Sequence, residues 1–71
     1  MQLPTMTQPL EPREIIRPTD GRTVLIFRGP CDAVEDAVAR LMAKEPGNWL
    51  VAYSVFHEEV DQAFVELERM Q

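Results

Sequence analysis

The chain contains very little cysteine and histidine, with one residue of each among 71. A single cysteine cannot form an intramolecular disulfide, and no C-x-x-C pair or histidine cluster indicates a zinc site. A domain of this length buries only about 60% of the surface that its unfolded chain exposes, so it needs a disulfide, a metal or a partner chain for robust stability. Of these three means of stabilisation, only association with another chain fits the sequence. No cofactor is expected.

Long apolar runs are also missing. No stretch reaches the roughly 18 consecutive apolar residues of a membrane-spanning helix. The opening MQLPTMTQPLEP has neither the basic start nor the apolar run of a secretion signal. Together with the free thiol, this favours a cytoplasmic location. The same stretch carries three prolines, so we predict a disordered tail over residues 1–12 and a single domain over residues 13–71.

Basic residues are few, and the formal net charge is −5. Residues 1–30 hold four arginines and three acids, whereas residues 31–71 hold nine acids and three basic residues. Binding to a phosphate backbone requires clustered Lys and Arg, so no direct nucleic-acid binding is expected. An acidic surface usually keeps a small protein in solution, and it also suits a basic partner protein.

The first regular pattern is a β-hairpin. The runs REIIR and RTVLIFR are rich in β-branched and aliphatic residues, and PTDG between them has the proline and glycine of a turn. Gly29-Pro30 then ends the second strand. Asp32 and Glu35 resemble a capping box, and Pro30 suits the first helical position. The helix that follows carries its apolar residues on one face: Val34, Ala37, Val38, Leu41 and Met42.

The last third of the chain predicts a further strand and a second helix. NWLVAYSVF is apolar at both alternating sets of positions, which is typical of a strand covered on both faces. From His57 to Met70 the apolar residues Val60, Ala63, Phe64 and Leu67 follow a helical period. The predicted fold is therefore α+β, a two-layer ββαβα arrangement with a small three-stranded mixed sheet, two helices and RTVLIF in the central strand.

Such a thin sheet predicts a homodimer. If both helices cover one face, the other face is apolar and exposed, which marks an interaction surface, and the last strand is an open edge. A two-fold dimer is the simplest result; the alternative is a monomer with one helix on each face. The exposed face is either Val24, Ile26, Leu50 and Phe56 or, as we predict for the interface, Leu25, Phe27, Trp49, Val51, Tyr53 and Val55.

The lone cysteine raises the question of thiol chemistry. Cys31 follows one predicted strand and His57 follows its parallel neighbour, so both should lie at the same edge of the sheet, where ligands bind in open α/β sheets. A helix N-terminus and a nearby cation would lower the thiol pKa. The catalytic candidates are Cys31, His57, Arg28 and Asp61, with Glu58 as an alternative carboxylate. In the alternative structural interpretation, Cys31 is simply a small apolar residue.

Two further patterns raise the question of a metal site and of a ligand-stacking site. His57 and Asp61 would face one way on a helix and are candidate metal ligands, with Glu58 as a possible third, but zinc sites usually need three or four protein ligands. Trp49 and Tyr53 are four positions apart on the same predicted face of one strand and could stack on a ligand, although a place in the core or a dimer interface is the more common role.

The sequence thus favours a non-enzymatic interaction or regulatory module that self-associates through its sheet and binds a basic protein with its acidic helical side. The alternative is a small thiol enzyme or thiol sensor that uses Cys31 with His57, although no signature of a cysteine hydrolase, phosphatase or thioredoxin-like protein is present. A weaker alternative is an acidic inhibitor or mimic protein, which small size and net acidity permit.

Overall fold

A computed structural model describes residues 10–70 of the chain. These residues form one helix packed on a four-stranded antiparallel sheet whose strand order is β1-β2-β4-β3. The elements in chain order are β1 (Arg13–Ile16), β2 (Thr23–Gly29), α1 (Cys31–Lys44), β3 (Trp49–His57), a single 3₁₀ turn (Glu58–Val60) and β4 (Gln62–Arg69). No helix within residues 10–70 is long and apolar enough to cross a membrane.

The predicted hairpin is confirmed. Strands β1 and β2 pair antiparallel, with Ile16 opposite Thr23. The Arg17 N–H donates to the Arg22 carbonyl at 2.9 Å, which closes the connection. Gly21 has φ +72°, a left-handed conformation that glycine adopts without steric cost, as the turn sequence predicted.

A cluster of charged side chains ties this turn to β4. Arg17 and Arg22 both donate to Glu68 Oε2 at 2.9 Å, and Arg17 also donates to Asp20 at 2.6 Å. The Glu68 side chain is only 14% exposed. The turn is therefore held against the central strand of the sheet by ion pairs that connect distant parts of the sequence.

Helix α1 occupies the predicted segment and buries the predicted face. Val34 and Ala37 are buried, and Val38, Leu41 and Met42 pack against the same core. Its N-terminus differs from the prediction because Pro30 precedes the helix and the helix begins at Cys31. At the other end the Glu45 N–H donates to the Leu41 carbonyl at 2.9 Å, so the helix stops before Pro46 as expected.

The predicted three-stranded mixed sheet with two helices is wrong. The segment assigned to a second helix contains the 3₁₀ turn and then β4, which lies between β2 and β3 and pairs antiparallel with both. No parallel crossover between neighbouring strands is formed, because β4 separates β2 from β3. The apolar residues of this segment fit a helical period, but they also alternate as in a strand. In the structure the alternation prevails, and Ala63, Val65 and Leu67 are buried on one face of β4.

The helix-covered face of the sheet carries the hydrophobic core. Its buried residues are Leu25, Phe27, Trp49, Ala63, Val65 and Leu67, packed on Val34 and Ala37 of α1. Leu10 also packs against this core, although it falls within the stretch predicted to be a tail. Residues 1–9 of that predicted tail lie outside the described residues.

The opposite face, which we call the open face, has no helix on it among residues 10–70. Its residues alternate with the core residues along each strand, and the cross-strand partners place them together. They include Val24, Ile26 and Arg28 on β2, Phe64, Glu66 and Glu68 on β4, and Leu50, Tyr53 and Val55 on β3.

Candidate functional site

Cys31 lies next to the segment after β3, as predicted, but the strand arrangement that brings them together is not the predicted one. Because β4 is antiparallel to both β2 and β3, these two strands run in the same direction. Their carboxyl ends therefore lie at the same end of the sheet without being neighbours. There the acidic junction, as we name it, surrounds a depression of about 500 Å³ lined by Cys31, Asp32, Glu35, Phe56, Glu58 and Asp61.

One hydrogen bond organises the acidic junction. The backbone N–H of Cys31 donates to Oδ1 of Asp61 at 3.0 Å. This N–H is one of the unpaired donors at the start of α1, so Asp61 caps the helix from the β3–β4 connection. Asp61 has φ +53°, a left-handed conformation that Asp tolerates better than most residues. No side-chain hydrogen bond from Pro30 caps the helix.

The surroundings of Cys31 do not activate its thiol. Partial burial raises the thiol pKa, and the carboxylates of Asp61, Glu58 and Asp32 raise it further. The expected lowering by the helix N-terminus and a cation is therefore not found. The thiol is 3.9 Å from the backbone carbonyl oxygen of His57. The His57 side chain belongs to the open face, since His57 pairs with Gln62 one position beyond Phe56, which lines the junction.

The other catalytic and metal candidates are dispersed. Arg28 is exposed on the open face opposite Phe64, away from the thiol. His57 and Asp61 do not share a helix face, because the segment between them is a single 3₁₀ turn. Within residues 10–70, no group of three or more His, Cys, Asp and Glu side chains is arranged to hold a metal ion.

The predicted interface residues fall into two groups. Leu25, Phe27 and Trp49 are buried beneath α1 and cannot contribute to an exposed face. The remaining three, Val51, Tyr53 and Val55, lie on β3 but not all on one face. The pairing register shifts between Val51 and Tyr53, so Val51 faces the helix side and the other two face the open side.

The same register shift separates Trp49 from Tyr53. Trp49 Nε1–H donates to Glu45 Oε1 at 3.1 Å, and the Arg69 guanidinium lies 4.6 Å from the centre of the indole ring. Tyr53 instead packs edge-on against Phe64, with the ring centroids 5.8 Å apart. The two aromatic residues therefore do not form a common stacking platform.

The predicted cover over both faces of β3 is wrong, although its position at an open edge of the sheet agrees with the sequence analysis. A strand that is apolar on both sides was expected to be covered on both faces, yet β3 lies at the edge and most of its residues are exposed. The exposed large apolar residues on this strand are Leu50 (49%), Val51 (46%), Tyr53 (54%) and Phe56 (42%). Its sequence WLVAYSVFH contains no Asp, Glu, Lys or Arg.

An apolar groove adjoins this edge. It lies between α1 and β3 on the helix-covered side, with a volume of about 300 Å³, and its lining is mostly apolar: Glu35, Val38, Ala39, Val51, Ser54, Phe56 and Val65. The exposed surface is thus continuous from the open face, across the backbone edge of β3, to the groove. Unpaired strand edges with exposed apolar residues are sites where further chains add.

The opposite edge of the sheet is different. Strand β1 has only four residues, two of which, Arg13 and Glu14, are charged. Short, charged edge strands resist pairing with other chains. The sheet therefore has one short, charged edge strand and one long edge strand without Asp, Glu, Lys or Arg.

These features define a class of small α+β domain in which a single helix covers a four-stranded antiparallel sheet and one long apolar strand stays open at the edge. Comparison of the chain with protein-family models, with curated proteins and with solved structures finds no match.

Proposed function

We propose that this protein is a non-enzymatic interaction module that associates with a second copy of itself through the edge of β3. The observation that carries the proposal is the nine-residue strand β3, which lies at the sheet edge without any Asp, Glu, Lys or Arg and with apolar side chains exposed on both faces. Strands of this kind are normally protected by charges, prolines or a covering element. Pairing β3 with another strand would satisfy its outer backbone groups and bury those side chains.

A second copy is the partner that suits this strand best. Because β3 carries no acidic or basic residue other than His57, two copies can pair without placing like charges opposite each other. A chain of 71 residues also has a small core, and burial between copies adds apolar contacts that the isolated domain lacks. A two-fold arrangement uses the same surface on both copies and is the commonest form of homo-oligomer.

The experiment is size-exclusion chromatography with light scattering over a range of protein concentrations. We expect the wild-type mass to shift from one chain to two as concentration rises. Val51→Lys places a charge on the β3 edge, at a position that is 46% exposed, and should keep the chain monomeric. Ile16→Lys is the matched control, since Ile16 is 66% exposed on the opposite edge strand, and it should leave the dimer unchanged.

Two outcomes contradict the proposal. One is a wild-type chain that remains monomeric at the highest concentration measured. The other is a dimer that Val51→Lys and Ile16→Lys weaken equally, because the β3 edge would then not be the interface. Circular dichroism of both variants establishes that they are folded, and Tyr53→Lys provides a second substitution on the same strand.

The acidic side of α1, which includes residues of the acidic junction, is our proposed surface for a basic partner protein. Asp32, Glu35 and Asp36 are exposed there, and Arg40 is paired with Asp36 at 2.9 Å. A cytoplasmic location for this module stays a prediction. The thiol-enzyme alternative gains no support from Cys31, because its surroundings raise the thiol pKa.

A further inference from the structure

The two ends of β3 differ in charge. At the carboxyl end lies the acidic junction, with the carboxyl groups of Asp32, Glu35, Glu58 and Asp61. The amino end follows the last turn of α1, where Lys44, the only lysine of the chain, is exposed. Arg69 is also at this end, over the indole of Trp49. The acids at this end are already bonded, Glu45 to that indole and Glu68, opposite Leu50, to Arg17 and Arg22.

The chain path fixes where the ends of α1 lie relative to β3. The helix starts after the carboxyl end of β2 and finishes before the amino end of β3, and β2 and β3 run in the same direction. Helix α1 therefore runs opposite to β3. Its amino end lies in the acidic junction, and its carboxyl end lies near the start of β3.

Pairing two β3 strands can follow only two directions, and the charges separate them. In a parallel pair, the two-fold axis runs along the strands, so the acidic junctions of the two copies would lie at the same end of the paired strands, on opposite faces of the sheet. In an antiparallel pair, the two-fold axis is perpendicular to the sheet, so both helices stay on the same face of one continuous sheet. Each acidic junction then lies beside the amino end of the partner's β3, where Lys44 is located. Opposite charges across an interface favour this arrangement and like charges oppose the other.

The helix dipoles favour the same direction. In the antiparallel arrangement the carboxyl end of one α1 is nearest the amino end of the other, which places partial charges of opposite sign together. In the parallel two-fold arrangement the helices lie on opposite faces of the sheet, so opposite helix ends are not brought together. Both effects depend only on the chain path and the charges described above.

We infer that two copies of this chain pair through antiparallel β3 strands, with Lys44 of each copy beside the acidic junction of the other. This inference rests on the proposed self-association, and it adds the direction of pairing and the residues that select it. The apolar grooves of the two copies then face each other across the paired strands on the helix-covered side.

A set of cysteine variants tests the direction. In a Cys31→Ser background, we would introduce Leu50→Cys, Tyr53→Cys or Val55→Cys, which share the open face, and measure disulfide-linked dimer after mild oxidation. In an antiparallel pair, a residue lies next to the equivalent residue of the second copy only near the two-fold axis. One of the three positions should therefore crosslink well and the other two poorly. Parallel strands related by a two-fold axis would place equivalent residues on opposite faces of the sheet, so none of the three would crosslink, whereas parallel strands without that symmetry would crosslink all three equally. Either result in a chain that dimerises by light scattering overturns the inference.

A charge exchange tests the selecting residues. Lys44→Glu acts at two symmetric contacts, so we expect it to weaken the dimer about five- to twentyfold, and Glu35→Lys to do the same. Combining the two substitutions should restore most of the affinity. Arg13→Glu makes the same charge change on β1 and should have little effect.

The outcomes separate this inference from the proposal beneath it. If Lys44→Glu and Arg13→Glu have equal effects, or if the double variant stays as weak as the worse single variant, Lys44 does not pair with the acidic junction, and the inference is overturned while self-association stands. If the wild-type chain forms no dimer by light scattering, the proposed function itself is overturned, and the inference with it.

Discussion

The carboxylate of Asp61 accepts a hydrogen bond at 3.0 Å from the backbone N–H of Cys31, thirty residues earlier in the chain. The contact joins the β3–β4 connection to the first turn of α1. It satisfies a backbone donor that the helix cannot pair internally. It also places a negative charge beside the only thiol of the protein, so one side chain affects both the stability of the helix and the acidity of Cys31.

Removal of this cap should destabilise the fold. We expect Asp61→Ala to lower the free energy of unfolding by about 1–2 kcal/mol, because it removes the cap and places Ala at a positive φ. Asp61→Asn keeps an oxygen acceptor and tolerates that backbone conformation, so it should stay close to wild type. Urea denaturation of the three proteins measures the difference. Equal losses for Asn and Ala would show that the charge, and not the hydrogen bond, is what matters.

The thiol of Cys31 should titrate above its ordinary range. Burial and the carboxylates of Asp61, Glu58 and Asp32 raise its pKa, so alkylation of the folded protein should have a higher midpoint pH than alkylation of the denatured protein. Asp61→Asn should lower the folded midpoint by removing one charge, whereas His57→Ala should leave it unchanged. A folded midpoint below the denatured one would contradict this account and revive the thiol-enzyme hypothesis.

The same shift has a consequence for stability at high pH. A thiol whose pKa is raised on folding keeps its proton more strongly in the native state, so stability declines as the pH rises above 9.0, the ordinary thiol value. Cys31→Ser removes this group and should make the decline above that pH shallower. The measurement is urea denaturation of both proteins between neutral and alkaline pH; parallel curves would contradict the prediction.

The ion pairs at the β1–β2 turn should stabilise the fold by an amount that decreases at acidic pH. Arg17 and a backbone hydrogen bond from Arg22 lower the pKa of Asp20 from 3.8 to about 2. The ionised Asp20 carboxylate therefore stabilises the fold above pH 3.8, the ordinary pKa of the group, and this stabilisation is lost as the pH falls from 3.8 towards 2. We expect Asp20→Asn to be less stable than wild type at pH 7, with the difference vanishing over that acid range and shrinking in high salt. A difference that persists below pH 2 would indicate another cause.

Substitutions in the core should be far more costly than those on the protected edge. Leu67 is 0% exposed in the central strand β4, and Leu67→Ala should cost about 2–5 kcal/mol because it leaves a cavity. Ile16→Ala, at a 66% exposed position on β1, should cost much less. Urea denaturation followed by Trp49 fluorescence measures both. Similar costs at the two positions would show that the packing described here does not hold the fold together.

The sequence predicts the first part of this fold better than the last. The hairpin, α1 and β3 have local patterns that tertiary structure does not override. Residues 62–69, QAFVELER, consist mainly of good helix formers, and their apolar residues fit a helical period as well as an alternating one. They form a strand because that position lies between β2 and β3, where both backbone edges are paired and Ala63, Val65 and Leu67 reach the core.

The sequence predicts that Cys31 lies near the segment after β3, but the reason given for it, a pair of neighbouring parallel strands, is wrong. Cys31 does meet the segment from His57 to Asp61, because β2 and β3 run in the same direction, although they are not neighbours. The side chains could not be assigned from sequence in the same way. The register shift near Ala52 reverses which face each following residue occupies, and no residue type marks it.

In the proposed dimer, the charged strand β1 would limit how many copies can assemble. If both edges of the sheet accepted strands, copies would add at each side and the product would be an open-ended fibre. Arg13 and Glu14 protect one side, and the strand there is only four residues long. Once the other side is occupied, the pair has no further site for growth. The apolar composition of β3 on both faces of the sheet would by itself promote aggregation. Because the two edges differ, the proposed assembly would instead stop at a finite size.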